Sequence, residues 1–306
     1  MKITIIGAAG SVGAPAAFYI GASGLVDEIL MIGGKRQNVL KQHAMDISTA
    51  VSGKDIRVIT GNFEDMAGSA IVINAAGAPQ GLITDRMEML PQNIPLIQHI
   101  ASQIRQYCPE AFVITVTNPV DPLNYATYLA GGFDRRQVIG YSINDSYRFR
   151  HMLAAAYGVK TSQVDGTVIG EHGSTQVLLF STTRIDGEPV QTSEEVKQSI
   201  RAEVPHILRH YEELQAGRTA GWTCAVGLAA ITRAVVENRG ETIPCSVVLD
   251  GEYGLRELSM SVPAVIDRQG VRKVIELALA PDEWEGVKIT TETLRKAMKV
   301  VEERLV

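Results

Sequence analysis

The sequence predicts an α/β protein in which a doubly wound parallel sheet is followed by an α+β domain. Three observations carry that prediction. Short apolar, β-branched runs recur with helical patterns between them. A glycine-rich turn follows the first run and opens the first helix. Near residue 143 the alternation stops, and longer helices and paired strands take over.

In order, residues 2–6 (KITII) read as a buried strand, and GAAGSVG at 7–13 opens a helix running to about residue 20. A second strand is expected at 28–32 (EILMI), then a helical segment through His43-Ala44-Met45-Asp46. Apolar strands follow at 56–60, 70–74 (AIVIN) and 112–116 (FVITV), with a sixth at 138–139. Strands that alternate with helices pair in parallel and carry helices on both faces. Beyond this point the pattern reads as a helix over 145–157, mixed strands over 164–185, and helices near 194–213 and 222–238. A strand pair around 246–250 and 258–266 and a C-terminal helix from about 291 complete it. The change of pattern divides the chain into domains 1–143 and 144–306.

With 306 residues, 45% apolar and 21% charged, the chain has the composition of an ordinary globular protein. A net charge of −5 argues against nucleic acid as a partner. No stretch approaches the ~18 apolar residues of a membrane span, and the first residues read as a strand entering a turn rather than a signal peptide. Cys108, Cys224 and Cys245 are odd in number and scattered, without CxxC, which reads as reduced thiols of a cytoplasmic protein.

Gly7, Gly10 and Gly13 follow a strand and open a helix, so the backbone there can approach a pyrophosphate seated at the helix N-terminus. Ser11 and Val12 belong to the same expected cofactor-binding turn. The spacing is GxxGxxG rather than GxGxxG, and a helix-capping turn in some other α/β protein is the alternative reading. Just after the second strand, where an acid would meet the ribose 2′-hydroxyl of NAD, stand Gly33, Gly34, Lys35 and Arg36. No carboxylate repels a 2′-phosphate here, and two cations are placed to meet it. A like-charge contact at about 4 Å costs roughly 4 kcal/mol at an effective dielectric near 20. The expected cofactor is NADP(H), with NAD(H) the alternative if both cations are solvated turn residues.

Two further segments carry chemistry. IGEHG at 169–173 places a histidine at the end of a β-branched run, and NDSYR at 144–148 places Asp145 and Arg148 on one helix face. An imidazole that passes a proton needs a carboxylate to orient it, and a small carboxylate substrate needs a guanidinium fork. Downstream of a nucleotide loop, the combination points to an oxidoreductase acting on a 2-hydroxy or 2-oxo acid. His206 and His210 also lie at i, i+4, but without a third ligand they read as surface residues, and no metal is expected.

Nearly end to end, the chain resembles the L-lactate/L-malate dehydrogenase family of L-2-hydroxyacid dehydrogenases. The motifs are the glycine loop, AGAP (76–79), TNPVD (117–121), DSYRFR (145–150), IGEHG (169–173), LDGEYG (249–254) and SVPAVI (261–266). The resemblance implies a Rossmann domain followed by a catalytic domain, with Ala76, Gly77, Asn93, Thr117 and Asn118 beside the cofactor. It implies His172 as the proton donor and acceptor, Asp145 as its partner, and Arg148 as the clamp on the substrate carboxylate. Arg86, ending a mobile loop, would polarise the carbonyl, and Asn118 would also bond the substrate. A homodimer or homotetramer is expected on the same ground.

The chain departs from the family pattern at several places. Gln80 stands where malate dehydrogenases carry Arg and lactate dehydrogenases carry Gln. A glutamine cannot neutralise a second buried carboxylate, so a lactate/pyruvate-like monocarboxylate is favoured. The alternatives are malate/oxaloacetate and a bulkier aliphatic 2-hydroxy acid. Ser174-Thr175 replace the usual Asp-Ser, and GYSIND carries an extra residue before Asp145. Trp222 takes a pocket position usually filled by a small residue, or Gly221 or Thr223 does if the register slips by one. A non-catalytic dinucleotide-binding sensor is a further alternative; a nicotinamide-dependent glycosidase would need a metal site the sequence does not offer, and GK[ST] of a P-loop is absent.

Overall fold

The computed structural model describes residues 1–78, 86–215 and 220–305, and for Arg86, Leu208 and Glu212 the main chain alone. Six strands pair in parallel: β1 (Lys2–Ile6), β2 (Glu28–Ile32), β3 (Arg57–Thr60), β4 (Ser69–Asn74), β5 (Phe112–Thr115) and β6 (Val138–Gly140). Their order is β3-β2-β1-β4-β5-β6, the doubly wound arrangement the alternation predicts. Between them run α1 (Gly13–Ala22), α2 (Gln37–Ala50), α3 (Leu90–Tyr107) and α4 (Val120–Gly131).

Alternating side chains fill two separate layers. Ile3, Ile5, Ile29, Met31, Ile71 and Ile73 enter one core, while Leu30, Ile32 and Val72 enter the other. Period-two alternation sends neighbours to opposite faces, and both faces are apolar because helices cover both. Each fully buried Ile contributes roughly 1.5–3 kcal/mol. The strand order reverses between β1 and β4, and such a reversal leaves a crevice at the carboxyl ends of the strands.

The second half contains α5 (Ile143–Tyr157) and the short strands β7 (Val164–Asp165), β8 (Val168–Ile169), β9 (Val177–Leu178), β10 (Arg184–Ile185) and β11 (Glu188–Pro189). Next come α6 (Glu194–Glu203), α7 (Ile207–Glu213), α8 (Gly221–Val236), β12 (Glu241–Asp250), β13 (Arg256–Asp267), β14 (Gly270–Val274) and α9 (Pro281–Leu305). Strands β12, β13 and β14 extend the first sheet antiparallel, Ser246 facing Gly140 and Val247 facing Ile139, so one nine-stranded sheet runs through both halves.

The structure differs from the sequence expectation in four places. Helix α9 begins ten residues before position 291: the run Val287–Thr291 is β-branched and reads poorly as helix, yet Val287, Thr290, Thr291, Leu294, Ala297, Met298 and Val301 are buried at helical spacing. Glu283 anchors its start, accepting hydrogen bonds from the amides of Ala280 and Ser181, each at 2.9 Å. The helical stretch at 194–213 is broken by Pro205 into α6, a 3-10 turn and α7. Strands β12 and β13 are longer than expected, and β14 had no clear pattern. Finally, α5 starts at Ile143, two residues before position 145.

Candidate active site

The nucleotide turn is built by close main-chain approach. Gly7 sits at φ +83°, and a Cβ there would stand 2.6 Å from the backbone of Ala75; one at Gly13 would stand 2.6 Å from the Gly7 carbonyl. The Gly10 amide donates to the Gly7 carbonyl at 2.9 Å, closing the turn from which α1, preceded by Val12, departs. Ser11 is exposed, but its carbonyl lies against Gly221 at the head of α8, where a Cβ would come within 2.0 Å. The main chains of the turn and of α8 are therefore in direct contact.

At the ends of β4 and β5, polar groups lock two segments together. The Thr117 hydroxyl donates to the Ala76 carbonyl at 2.6 Å. Asn93 accepts from the Ala78 amide and donates to the Asn118 carbonyl, both at 2.8 Å. Gly77 packs against Thr117, and the Asn118 Oδ1 is buried with no partner among the described residues. An orphaned buried acceptor beside a glycine cradle fits a dinucleotide whose nicotinamide end reaches Asn118. Gly33 is half-buried, and Gly34, Lys35 and Arg36 are exposed; neither cation takes an ion pair among the described residues.

The proton-handling groups converge from two elements. Asp145 lies in the first turn of α5, where an acid is favoured by the helix N-terminus. Its Oδ2 lies 2.5 Å from His172 Nδ1, and its Oδ1 accepts from Arg148 Nη1 at 3.0 Å. His172 is 7% exposed and Asp145 3%. A buried carboxylate shared in this way holds the ring by Nδ1 and fixes its orientation. The other donors of Arg148 take no partner among the described residues.

Just past β8, the main chain of His172 is fixed from three sides. The Gly170 amide donates to the Ser261 carbonyl at 2.9 Å, the Glu171 amide to Thr290 Oγ1 at 2.8 Å, and the His172 amide to Asp121 Oδ2 at 2.7 Å. Thr175, at one of the two unusual positions, donates its amide at 3.0 Å and its hydroxyl to the Glu171 carboxylate. That pairing gives Thr175 a role the sequence did not suggest.

Asp121 was missed although it closes the TNPVD motif; its signal was an acid inside the apolar run at the start of α4. Asn144 was missed too: it accepts from the Tyr141 hydroxyl at 2.6 Å and donates to Cys224 Sγ at 3.2 Å, tying α5 to α8. Gln80 and residues 81–85 lie outside the described residues, as does the side chain of Arg86, whose main chain opens a 3-10 turn over Arg86–Met89. The structure differs from the expectation at Trp222, which is 75% exposed and shares the outer stripe of α8 with Val226, while Cys224, Ala225 and Leu228 face inward. His206 is exposed, and His210 faces Glu203 at 3.5 Å.

Comparison with known proteins accords with this geometry. The family model for the NAD binding domain of lactate/malate dehydrogenase matches residues 1–140, and that for the α/β C-terminal domain matches 144–305. The chain is 34% identical to a malate dehydrogenase of Halobacterium salinarum over 96% of its length and 97% of the relative's. It is 32% identical to L-lactate dehydrogenase 1 of Staphylococcus aureus over 99% and 97%. Among solved structures, the malate dehydrogenase of Cryptosporidium parvum superposes with a TM-score of 0.94 at 28% identity, covering 99% of both chains. The lactate dehydrogenase of the same organism, in complex with lactic acid and nicotinamide adenine dinucleotide, gives 0.90 at 28% identity, covering 98% of both.

Proposed function

Because the chain belongs to the lactate/malate dehydrogenase family, we propose that it interconverts a small L-2-hydroxy monocarboxylate and its 2-oxo acid, with NADP(H) preferred over NAD(H). It is an oxidoreductase acting on a CH–OH group. The observation that carries the 2-hydroxy/2-oxo acid chemistry is the buried Asp145 carboxylate shared between His172 and Arg148.

A nicotinamide cofactor held by the glycine turn and the Thr117–Asn118 segment would exchange a hydride with the substrate C2. His172 donates a proton through Nε2 to the oxygen that becomes the hydroxyl, and takes it back in the reverse direction. Asp145 keeps Nδ1 protonated, so Nε2 alone changes state, and it stabilises the imidazolium. Arg148 turns its remaining donors to the substrate carboxylate, a bidentate geometry a guanidinium satisfies and an ammonium does not. Arg86, whose side chain lies outside the described residues, is the group we assign to polarise the carbonyl. Asn118 bonds the substrate beside the nicotinamide, and Gln80 favours a substrate without a second carboxylate.

The Gly33-Gly34-Lys35-Arg36 turn, exposed from Gly34 onward, supports the 2′-phosphorylated cofactor. The alternative substrate pair is malate/oxaloacetate, whose second carboxylate would need a cation other than Gln80; similarity to proteins of both names supports neither over the other. A dinucleotide sensor has no use for a proton relay, which argues against that reading. We divide the chain into a cofactor domain over 1–143 and a catalytic domain over 144–306. We place it in the cytoplasm, consistent with three buried cysteines that form no disulfide among the described residues. A homodimer or homotetramer would cover the apolar side chains Phe18, Met45, Trp222 and Val226, exposed on α1, α2 and α8.

Initial rates with NADPH and NADH, each against pyruvate and oxaloacetate, test the assignment. Fastest turnover with pyruvate and NADPH is expected. Faster turnover with oxaloacetate would replace the substrate reading, and preference for NADH would replace the cofactor reading.

A further inference from the structure

We propose that Asp121 is a positioning residue for proton transfer: it holds the main chain of His172 through that residue's amide, and the charge of its carboxyl acts on the ring. This rests on the reading of His172 as the proton carrier.

Two carboxylates grip one histidine. Asp145, from α5, holds the ring at Nδ1, while Asp121, from the first turn of α4, accepts the His172 amide at 2.7 Å. The neighbouring amides of Gly170 and Glu171 are satisfied by a carbonyl and a hydroxyl, so a neutral acceptor suffices for that task. A carboxyl here is expensive: Asp121 is 1% exposed, and its Oδ1 is buried without a partner among the described residues. The cost is visible in its acidity. Burial above all, outweighing the bonds from the Ser246 hydroxyl and the His172 amide and helped by Glu171 and Asp145 nearby, pushes the Asp121 carboxyl up to about 7.

Its charge therefore changes in the range where a histidine exchanges protons. The ionisable groups facing it are Glu171 and His172 after β8 and Asp145 on α5, with Arg148 bonded to Asp145 behind them. Strand β12 presents the hydroxyl of Ser246 and β13 that of Ser259, while His99 and Arg105 on α3 and Glu292, Arg295 and Lys296 on α9 are exposed. An ionised Asp121, bonded to the His172 amide at 2.7 Å, adds a second negative charge at that residue's main chain and favours imidazolium; a protonated Asp121 withdraws that support.

Asp121→Asn keeps an amide acceptor and deletes the charge, whereas Asp121→Ala deletes both. The first readout is an NMR titration of the His172 ring, its signal assigned by its absence in a His172 variant. The second is the pH profile of kcat and KM. In Asp121→Asn the ring should titrate lower by about half a pH unit or more. In Asp121→Ala kcat should fall about tenfold or more below that of Asp121→Asn, with KM for the cofactor kept. A ring titration that superimposes on the parent's overturns the charge effect, and equal losses in both variants overturn the positioning role. The NMR arm needs only folded protein, checked by thermal melting, and decides alone if Asp121→Ala does not fold. It also needs no substrate: absence of turnover in the parent with every 2-oxo acid would refute the proposed function and leave the ring titration to judge Asp121.

Discussion

Replacing Asp145 by Asn should disable the site through a hydrogen-bond conflict that its geometry makes unavoidable. The wild-type carboxylate is acceptor-only, and it meets His172 Nδ1 at 2.5 Å with one oxygen and Arg148 Nη1 at 3.0 Å with the other. Asparagine has one oxygen and one NH2. With its oxygen toward Arg148, the NH2 must donate to Nδ1, which then cannot carry a proton. The imidazolium, which needs both ring nitrogens protonated, is opposed. With its oxygen toward His172, the NH2 faces a guanidinium, donor against donor. Both orientations also remove the charge that balanced Arg148, whose side chain is 14% exposed. Breaking a buried, hydrogen-bonded charge pair costs about 3–5 kcal/mol. Expressed in the transition state, that is a loss of about 10²–10⁴ in kcat/KM. Rates of 2-oxo acid reduction and of 2-hydroxy acid oxidation, taken across pH with cofactor binding measured separately, provide the assay. Both directions should fall, with cofactor affinity held. A variant within tenfold of the parent in both directions would refute the dyad reasoning.

Other outcomes follow from the same structure. Gly33→Asp should lower the ratio of kcat/KM for NADPH over NADH by about tenfold, because a gross repulsion of roughly 4 kcal/mol is cut by screening at an exposed turn to about 1–2 kcal/mol. The new Cβ would meet the buried Leu40 side chain at 3.1 Å, which must give by a few tenths of an ångström; with the fold checked by thermal melting, an unchanged ratio removes Gly33 from cofactor choice. Gly7→Ala should abolish cofactor binding in a fluorescence titration, since φ +83° and a 2.6 Å approach to Ala75 leave no room for the methyl group; retained affinity would contradict the cradle. Asp121 should also make stability depend on pH. Its carboxyl titrates near 7 when folded against about 3.9 unfolded. A raised acid stabilises fully below the unfolded value and loses that contribution as pH rises through 7. The full loss is at most roughly 4 kcal/mol, and the roughly 3 kcal/mol of it that falls between pH 5 and pH 8 should lower Tm over that range by more in the parent than in Asp121→Asn; parallel Tm profiles would contradict it.

The parts of the molecule legible in the sequence are those governed by short-range spacing. The glycine turn follows a five-residue strand, and Asp145 and Arg148 lie three apart on one helix, so local geometry alone brings them into register. The parallel half was legible because a strand buried on both faces is apolar throughout. What was hidden depends on partners distant in the chain. Strand β12 joins β6 across more than a hundred residues, and nothing in either segment names the other. Helix α9 was shortened because Val287, Ile289, Thr290 and Thr291 favour strands, a preference overridden by burial of their inward face. Asp121 looked like the end of a motif, and only the fold shows that its carboxyl lies under the His172 amide. Trp222 was placed by alignment to a neighbouring run, which says nothing of the side of α8 it occupies.

The central claim is that His172 carries the proton for a nicotinamide-dependent 2-oxo acid reduction, and the direct measurement is turnover of His172→Ala beside the parent. NADPH consumption with pyruvate and with oxaloacetate is followed at saturating cofactor, and cofactor affinity is taken from fluorescence titration. The account predicts turnover in the parent, at least about a hundredfold less in the variant, and nearly equal cofactor affinity in the two. A variant that still turns over at the parental rate would contradict it.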